Sequence, residues 1–228
     1  MKSAVLRWVW GAWMMGPASA AGAQPVASAA QVCSVCHGAA GVATNHGYFP
    51  RIAGKPQGYL YHQLLNFRDG RRHYAAMTRL FQVLDDDYLM EIAGYFAAQE
   101  LPYPPPQTAG APPQVLALGE QLVRRGDPQR QIPACVSCHG AAMTGVQPFV
   151  PGLLGLPRDY LNAQMGAFKT GQRKALAPDC MAQVVRQLTP ADVSAISTWL
   201  SSQVLPADTR PATSLPVAMP MPCGSVAR

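Results

Sequence analysis

Cys33-Ser34-Val35-Cys36-His37-Gly38 returns later in the chain as Cys135-Val136-Ser137-Cys138-His139-Gly140. The repetition does not stop at the motif. Downstream, Pro50 answers to Pro151, Tyr59-Leu60 to Tyr160-Leu161, Phe67 to Phe168, Gly70 to Gly171 and Arg72 to Arg173. Further on, Met77 matches Met181, Leu84 matches Leu188 and Leu101-Pro102 matches Leu205-Pro206, with a short insertion before Met181. Self-similarity sustained over such a span predicts two homologous domains, and 228 residues is enough chain for both.

Between these fixed points the patterns are helical. Residues 57–69 carry Tyr59, Leu60, Leu64, Leu65 and Phe67 and stop at Gly70. Residues 85–99 open with acids at the positive end of a helix and place Leu89, Ile92, Ala93 and Phe96 on one face. Thr189-Pro190-Ala191-Asp192 sets a proline at the first helical position ahead of Val193, Ile196 and Leu200. Residues 116–123 supply the opening helix of the second domain. Met90 and Met165 fall within such helical runs and are expected in the core. Alternating β-branched residues are nearly absent, so the fold class is all-α, with two tandem domains.

Proline marks the boundaries. The run Pro102-Tyr103-Pro104-Pro105-Pro106 through Pro113 cannot continue a helix and favours extended backbone. A second proline-rich stretch, 206–222, has little periodicity. The expected organisation is a leader at 1–23, a first domain at 24–102, a linker at 103–113, a second domain at 114–206 and a tail at 207–228. The leader rests on Lys2 and Arg7, an apolar run at 9–15, and the small-residue sites Ala18-Ser19-Ala20 and Ala21-Gly22-Ala23. Gly16-Pro17 interrupts the apolar run well short of the roughly 20 residues a spanning helix needs. Export to the periplasm follows as an expectation, with no transmembrane segment in the mature chain. Without Lys2 and Arg7, 16 Lys and Arg stand against 12 Asp and Glu. That balance is too mild and too scattered for a nucleic-acid binder. An apolar fraction of 49% excludes a disordered chain.

Cys-x-x-Cys-His is the attachment signature of c-type haem. Thiols one helical turn apart each add to a haem vinyl group, and the adjacent histidine then lies beneath the iron as its proximal ligand. A redox dithiol would need a βαβ setting, and a zinc site built from both Cys-x-x-Cys pairs would leave His37 and His139 without a purpose. Two covalently bound haem c groups are therefore expected, on Cys33 and Cys36 and on Cys135 and Cys138. For the sixth iron position Met77 and Met181 are the candidates because they occupy equivalent places in the repeat. His73 rivals Met77, and Cys180 rivals Met181. Cys180 and Cys223 are the two cysteines left over, and in an oxidising compartment spare cysteines pair. Arg72 and Arg173 are open between pairing with haem propionates and standing in solvated loops. Trp199 and Tyr95 align in the terminal helices as packing residues. His46 and His62 receive no role.

With these residues assembled, the chain resembles the two-domain, two-haem class I cytochromes c of the cytochrome c4 family over residues 31–203. The stretches that carry the resemblance are Phe49-Pro50-Arg51-Ile52-Ala53-Gly54, Tyr59-Leu60-Tyr61-His62-Gln63-Leu64 and Phe67-Arg68-Asp69-Gly70-Arg71-Arg72. In the second half they are Pro151-Gly152-Leu153-Leu154-Gly155 and residues 160–173. The resemblance implies two cytochrome c folds about a pseudo-twofold axis. It also implies iron held by His37 with Met77 and by His139 with Met181. The chain departs from the pattern where Ala75-Ala76 stands in place of a proline before Met77, in the cysteine-bearing insertion before Met181, and in its tail.

The expected function is electron transfer from a donor, either a dehydrogenase or a quinol-oxidising complex, to an acceptor such as a terminal oxidase. Arg51, Lys55, Arg68, Arg71 and Arg72 give the first domain an expected basic surface, open between steering an acidic partner and ordinary solubility. The alternative is a haem enzyme of thiosulfate dehydrogenase or peroxidase type, which needs an exchangeable or cysteine-ligated iron.

Overall fold

A computed structural model describes residues 23–43 and 49–226. The leader expected at 1–23, Ala23 apart, and His46 lie outside the described residues. The first half holds α1 (Ala23–His37), α2 (Gln57–Arg68), α3 (Ala75–Phe81) and α4 (Asp86–Ala97). The second holds α5 (Pro113–Arg124), α6 (Val136–His139), α7 (Arg158–Thr170), α8 (Cys180–Gln187) and α9 (Pro190–Ser202). Among the described residues the only sheet is an antiparallel ribbon of β1 (Gly145–Val146) and β2 (Val150–Pro151). The all-α expectation holds.

Local chemistry explains the helix limits. The Asp85 side chain accepts the Tyr88 backbone N–H at 2.8 Å and caps α4, with Asp86 and Asp87 in its first turn. α9 begins with a capping box in which Thr189 Oγ1 accepts the Asp192 N–H at 3.2 Å and Asp192 Oδ2 accepts the Thr189 N–H at 2.7 Å. Asp179 caps α8 by accepting the Ala182 N–H at 3.0 Å.

Two separate hydrophobic clusters form, one on each half. Leu60, Phe67, Phe81, Leu89, Ile92 and Phe96 centre the first, with Val26 and Ala30 of α1 against them. Leu122, Leu161, Val185, Ile196, Trp199 and Leu200 centre the second. α5 lies close on α9 because residue 119 is glycine: a Cβ there would meet the Ala195 carbonyl oxygen at 2.3 Å and Trp199 Cβ at 2.7 Å. Met165 packs on the second cluster as expected, whereas Met90 is 38% exposed on the outer side of α4.

The halves meet across a reciprocal clasp. Arg72 donates to Gln63 at 3.0 Å in its own half and to Gln164 at 2.7 Å in the other. Arg173 donates to Gln164 at 2.8 Å and back to Gln63 at 2.9 Å. Each also reaches the opposite tyrosine hydroxyl, Arg72 to Tyr160 and Arg173 to Tyr59, both at 3.3 Å. Backbone bonds repeat the symmetry, His73 N–H to the Gln172 carbonyl at 3.1 Å and Lys174 N–H to that of Arg71 at 2.7 Å. Away from the clasp, Phe149 stacks on His62 with ring centroids 5.0 Å apart, and Gly58 leaves room for the same phenylalanine.

The proline segments are seated against the domains. Arg51 passes under the Tyr103 ring at 3.9 Å and donates to the carbonyls of Pro102 and Leu101. The expected basic surface on the first domain is thereby corrected. Arg51 is 2% exposed, Lys55 is 6% exposed with its Nζ donating to the Gly152 carbonyl, and Arg72 belongs to the clasp. Arg68 pairs with Asp69 and Asp86, and Arg71 pairs with Asp69. Interfacial and local partners consume the charges that the sequence shows as a cluster.

Candidate functional site

The two motifs end helices: His37 is the last residue of α1 and His139 the last of α6. Gly38 and Gly140 follow at φ 76° and 82°, which turns the chain back beneath the histidine. The turn brings Pro50 and Pro151 into matching places. Nδ1 of His37 lies 2.8 Å from the Pro50 carbonyl oxygen, and Nδ1 of His139 lies 2.8 Å from that of Pro151. A carbonyl only accepts, so Nδ1 carries the proton and Nε2 keeps its lone pair. Histidines that ligate metals are held in this manner. Burial lowers the pKa of both rings from the ordinary imidazole value, which keeps them neutral.

In the second half, Cys135, Cys138, His139 and Met181 line a single cavity. Its walls are mainly apolar, with Leu156, Leu161, Phe168, Val185, Leu188 and Leu200 among them. Two thiols, one neutral imidazole with a free Nε2 and one thioether around an apolar space suit a covalently attached flat macrocycle carrying iron. They do not suit a bare ion: among the described residues no three His, Cys, Asp or Glu side chains converge. The two Cys-x-x-Cys pairs sit on different halves, so the shared zinc site does not form. Burial also pushes the Cys135 thiol up to about 12 and raises those of Cys33 and Cys138. A redox dithiol needs the opposite shift.

In the first half, Cys33 and Met77 pack on the same cluster and His37 is 7% exposed. Met77 lies in α3, which starts directly at Ala75 with Tyr74 before it. The motif has one outward side: Cys36 is exposed, and Val35 and the preceding Val32 are 82% and 60% exposed.

The rival ligands fare unequally. His73 is exposed and holds the interdomain junction through its backbone. Cys180 is bonded to Cys223, so it is no free thiolate beside the second site. Arg72 and Arg173 stand in the clasp and not in solvated loops. Burial, followed by the nearby Arg173 charge, lowers the Arg72 pKa. Trp199 packs on α5 beneath Arg124. Sequence reasoning passed over Gln63 and Gln164, although they share the repeat register of Tyr59 and Tyr160. It also passed over Met219 and Met221 of the tail, which line the second cavity. No periodic signal in a proline-rich stretch marks them.

A family model described as Cytochrome c matches residues 117–203. The chain is 37% identical to a thiosulfate dehydrogenase electron acceptor of Thiomonas intermedia, covering 83% of this chain and 85% of the relative. It is 34% identical to cytochrome c4 of Pseudomonas aeruginosa, covering 82% and 92%. The crystal structure of reduced recombinant cytochrome c4 from Pseudomonas stutzeri superposes with a TM-score of 0.68 at 28% identity, over 79% of this chain and 97% of that one.

Proposed function

The chain belongs to the cytochrome c4 family, and we propose that it is the periplasmic electron acceptor of a thiosulfate-oxidising dehydrogenase. It is an electron carrier with two tandem class I domains and two covalently bound haem c groups. The observation that carries the choice of donor is the 37% identity, over most of both chains, to a protein that accepts electrons from thiosulfate dehydrogenase. Onward transfer to an acceptor such as a terminal oxidase completes the relay.

The haem iron supplies reversible one-electron chemistry. The chain's own residues hold it: Cys33 and Cys36 in a domain at 24–102, and Cys135 and Cys138 in one at 114–206, through thioethers. His37 and His139 present Nε2, with Pro50 and Pro151 fixing the tautomer. Met77 and Met181 would supply a thioether to each iron, which would favour the ferrous state and raise the potential. Iron so held would have no place for a substrate, which favours a carrier over an enzyme. The Cys180–Cys223 bond supports the same conclusion by withholding the thiolate that the haem-enzyme alternative requires.

The test mixes oxidised protein, matured in a haem-attaching host, with catalytic amounts of thiosulfate dehydrogenase and excess thiosulfate. Reduction of both haems, seen in the visible α band, is expected only when the dehydrogenase is present. Absence of reduction would remove this donor, and reduction by thiosulfate alone would favour the haem enzyme.

A further inference from the structure

The tail after α9 is tied down at two points around the second cavity. At its start, the Ala212 N–H donates to the Gly145 carbonyl at 2.9 Å and the Ala212 carbonyl accepts the Gln147 N–H at 2.8 Å. Thr144 Oγ1 adds a bond to the Arg210 carbonyl at 3.0 Å. This end of the tail therefore runs as a partial third strand beside β1. At its far end, Cys223 is joined to Cys180, the first residue of α8 and the neighbour of Met181. The Gly224 N–H donates to the Pro178 carbonyl at 2.9 Å. Residue 224 sits so close to the chain beneath it that a Cβ would lie 2.2 Å from the Ala177 carbonyl oxygen.

Between the anchors, the prolines at 216, 220 and 222 keep the backbone extended and leave it little entropy to lose on seating. Met219 and Met221 of this stretch, with Ser225 and Val226 just past the far anchor, line the cavity that also holds Cys135, Cys138, His139 and Met181. Among the described residues no segment of this kind lies over Val35 and Cys36 of the first motif, which stand exposed.

We infer that residues 207–226 form a strap that walls the second haem off from solvent. The inference rests on the assignment of a haem to each motif. Haem content is therefore counted first, as pyridine haemochrome per chain, and fewer than two haems overturns both conclusions.

With two haems confirmed, the oxidised full-length protein is titrated with a soluble gadolinium chelate. The relaxation of the haem methyl proton resonances is then read for each haem, the second being identified by contacts with Met219 or Met221. The expected result is several-fold stronger relaxation at the first haem than at the second. Equal relaxation at both, or protection of the first alone, overturns the strap. A chain carrying Cys180→Ser and ending at Ala207 sharpens the outcome: the second set should gain relaxation several-fold while the first stays as it was. Unchanged protection in that variant also overturns the inference. Should the variant not mature, the full-length comparison decides alone.

Discussion

The two halves carry the same motif, the same histidine anchor and the same side of a reciprocal clasp, yet they enclose their sites differently. The second surrounds its four candidate ligands with one apolar cavity, closes the approach with a disulfide and a tail, and locks its last helix with a capping box. The first leaves Val32, Val35 and Cys36 on one side of its motif helix exposed. The difference teaches that the repeated residues place the chemistry, while the residues outside the repeat set its surroundings. The shared core of the site needs only a handful of positions per half. Solvent access is decided by the insertion before Met181 and by the tail.

The largest expected effect tests whether the second core depends on what its cavity holds. Cys135→Ala with Cys138→Ala should remove one haem per chain and abolish cooperative unfolding of the second half. Cys33→Ala with Cys36→Ala should remove one haem while the second half still unfolds cooperatively. Mass spectrometry and thermal circular dichroism check both, and equal collapse in the two variants would break the comparison. Next, Cys180→Ser with Cys223→Ser releases a 43-residue closure. It should lower second-half stability by about 2–4 kcal/mol with no change in the first, as measured by denaturant unfolding followed at each haem.

Asp192→Asn comes third. Asp192 is raised by its burial, but the bonds from Arg130 and Thr189 outweigh this and hold its carboxyl below the ordinary carboxylate range. The variant should cost about 1–3 kcal/mol at neutral pH. Because the folded pKa is the lower one, the advantage of the natural chain is complete above the unfolded carboxylate pKa, about 3.9. It fades as pH falls through the folded value. Urea melts from pH 7 downward would show this, and a difference that grew in acid would contradict it. The smallest effect concerns potential. Burial disfavours the more highly charged ferric form. The second haem should therefore titrate higher than the first by on the order of 60 mV, about 1.4 kcal/mol. A spectroelectrochemical titration with the reverse order would show that enclosure does not govern the pair.

Much of this was legible before any coordinates. The repeat marked two domains, Gln57–Arg68, Asp86–Ala97 and Pro190–Ser202 fell where their periodicity and caps placed them, and Cys180 paired with Cys223. The repeat also matched Pro50 with Pro151, but that their carbonyls hold the histidines emerged only from the fold. What stayed hidden depended on the other half of the chain. Arg51 and Lys55 read as surface charge because nothing local shows Tyr103 arriving over one and Gly152 over the other. Met90 read as core because its helix is apolar enough on two sides. The tail read as featureless because extended proline-rich backbone packs without a period for a sequence to display.

The strap has a bearing on the order of assembly. A chain is made from its N-terminus, so Cys135 and Cys138 are complete long before Cys223 exists. While synthesis runs between them, the second pocket lacks both its cover and the partner for Cys180. Thiols that must react with a bulky planar group are thus presented to it in an open site, and the cysteine able to shut that site arrives last. A wall built early would block its own filling. Built from later residues, it leaves the pocket open until the end of the chain has been made.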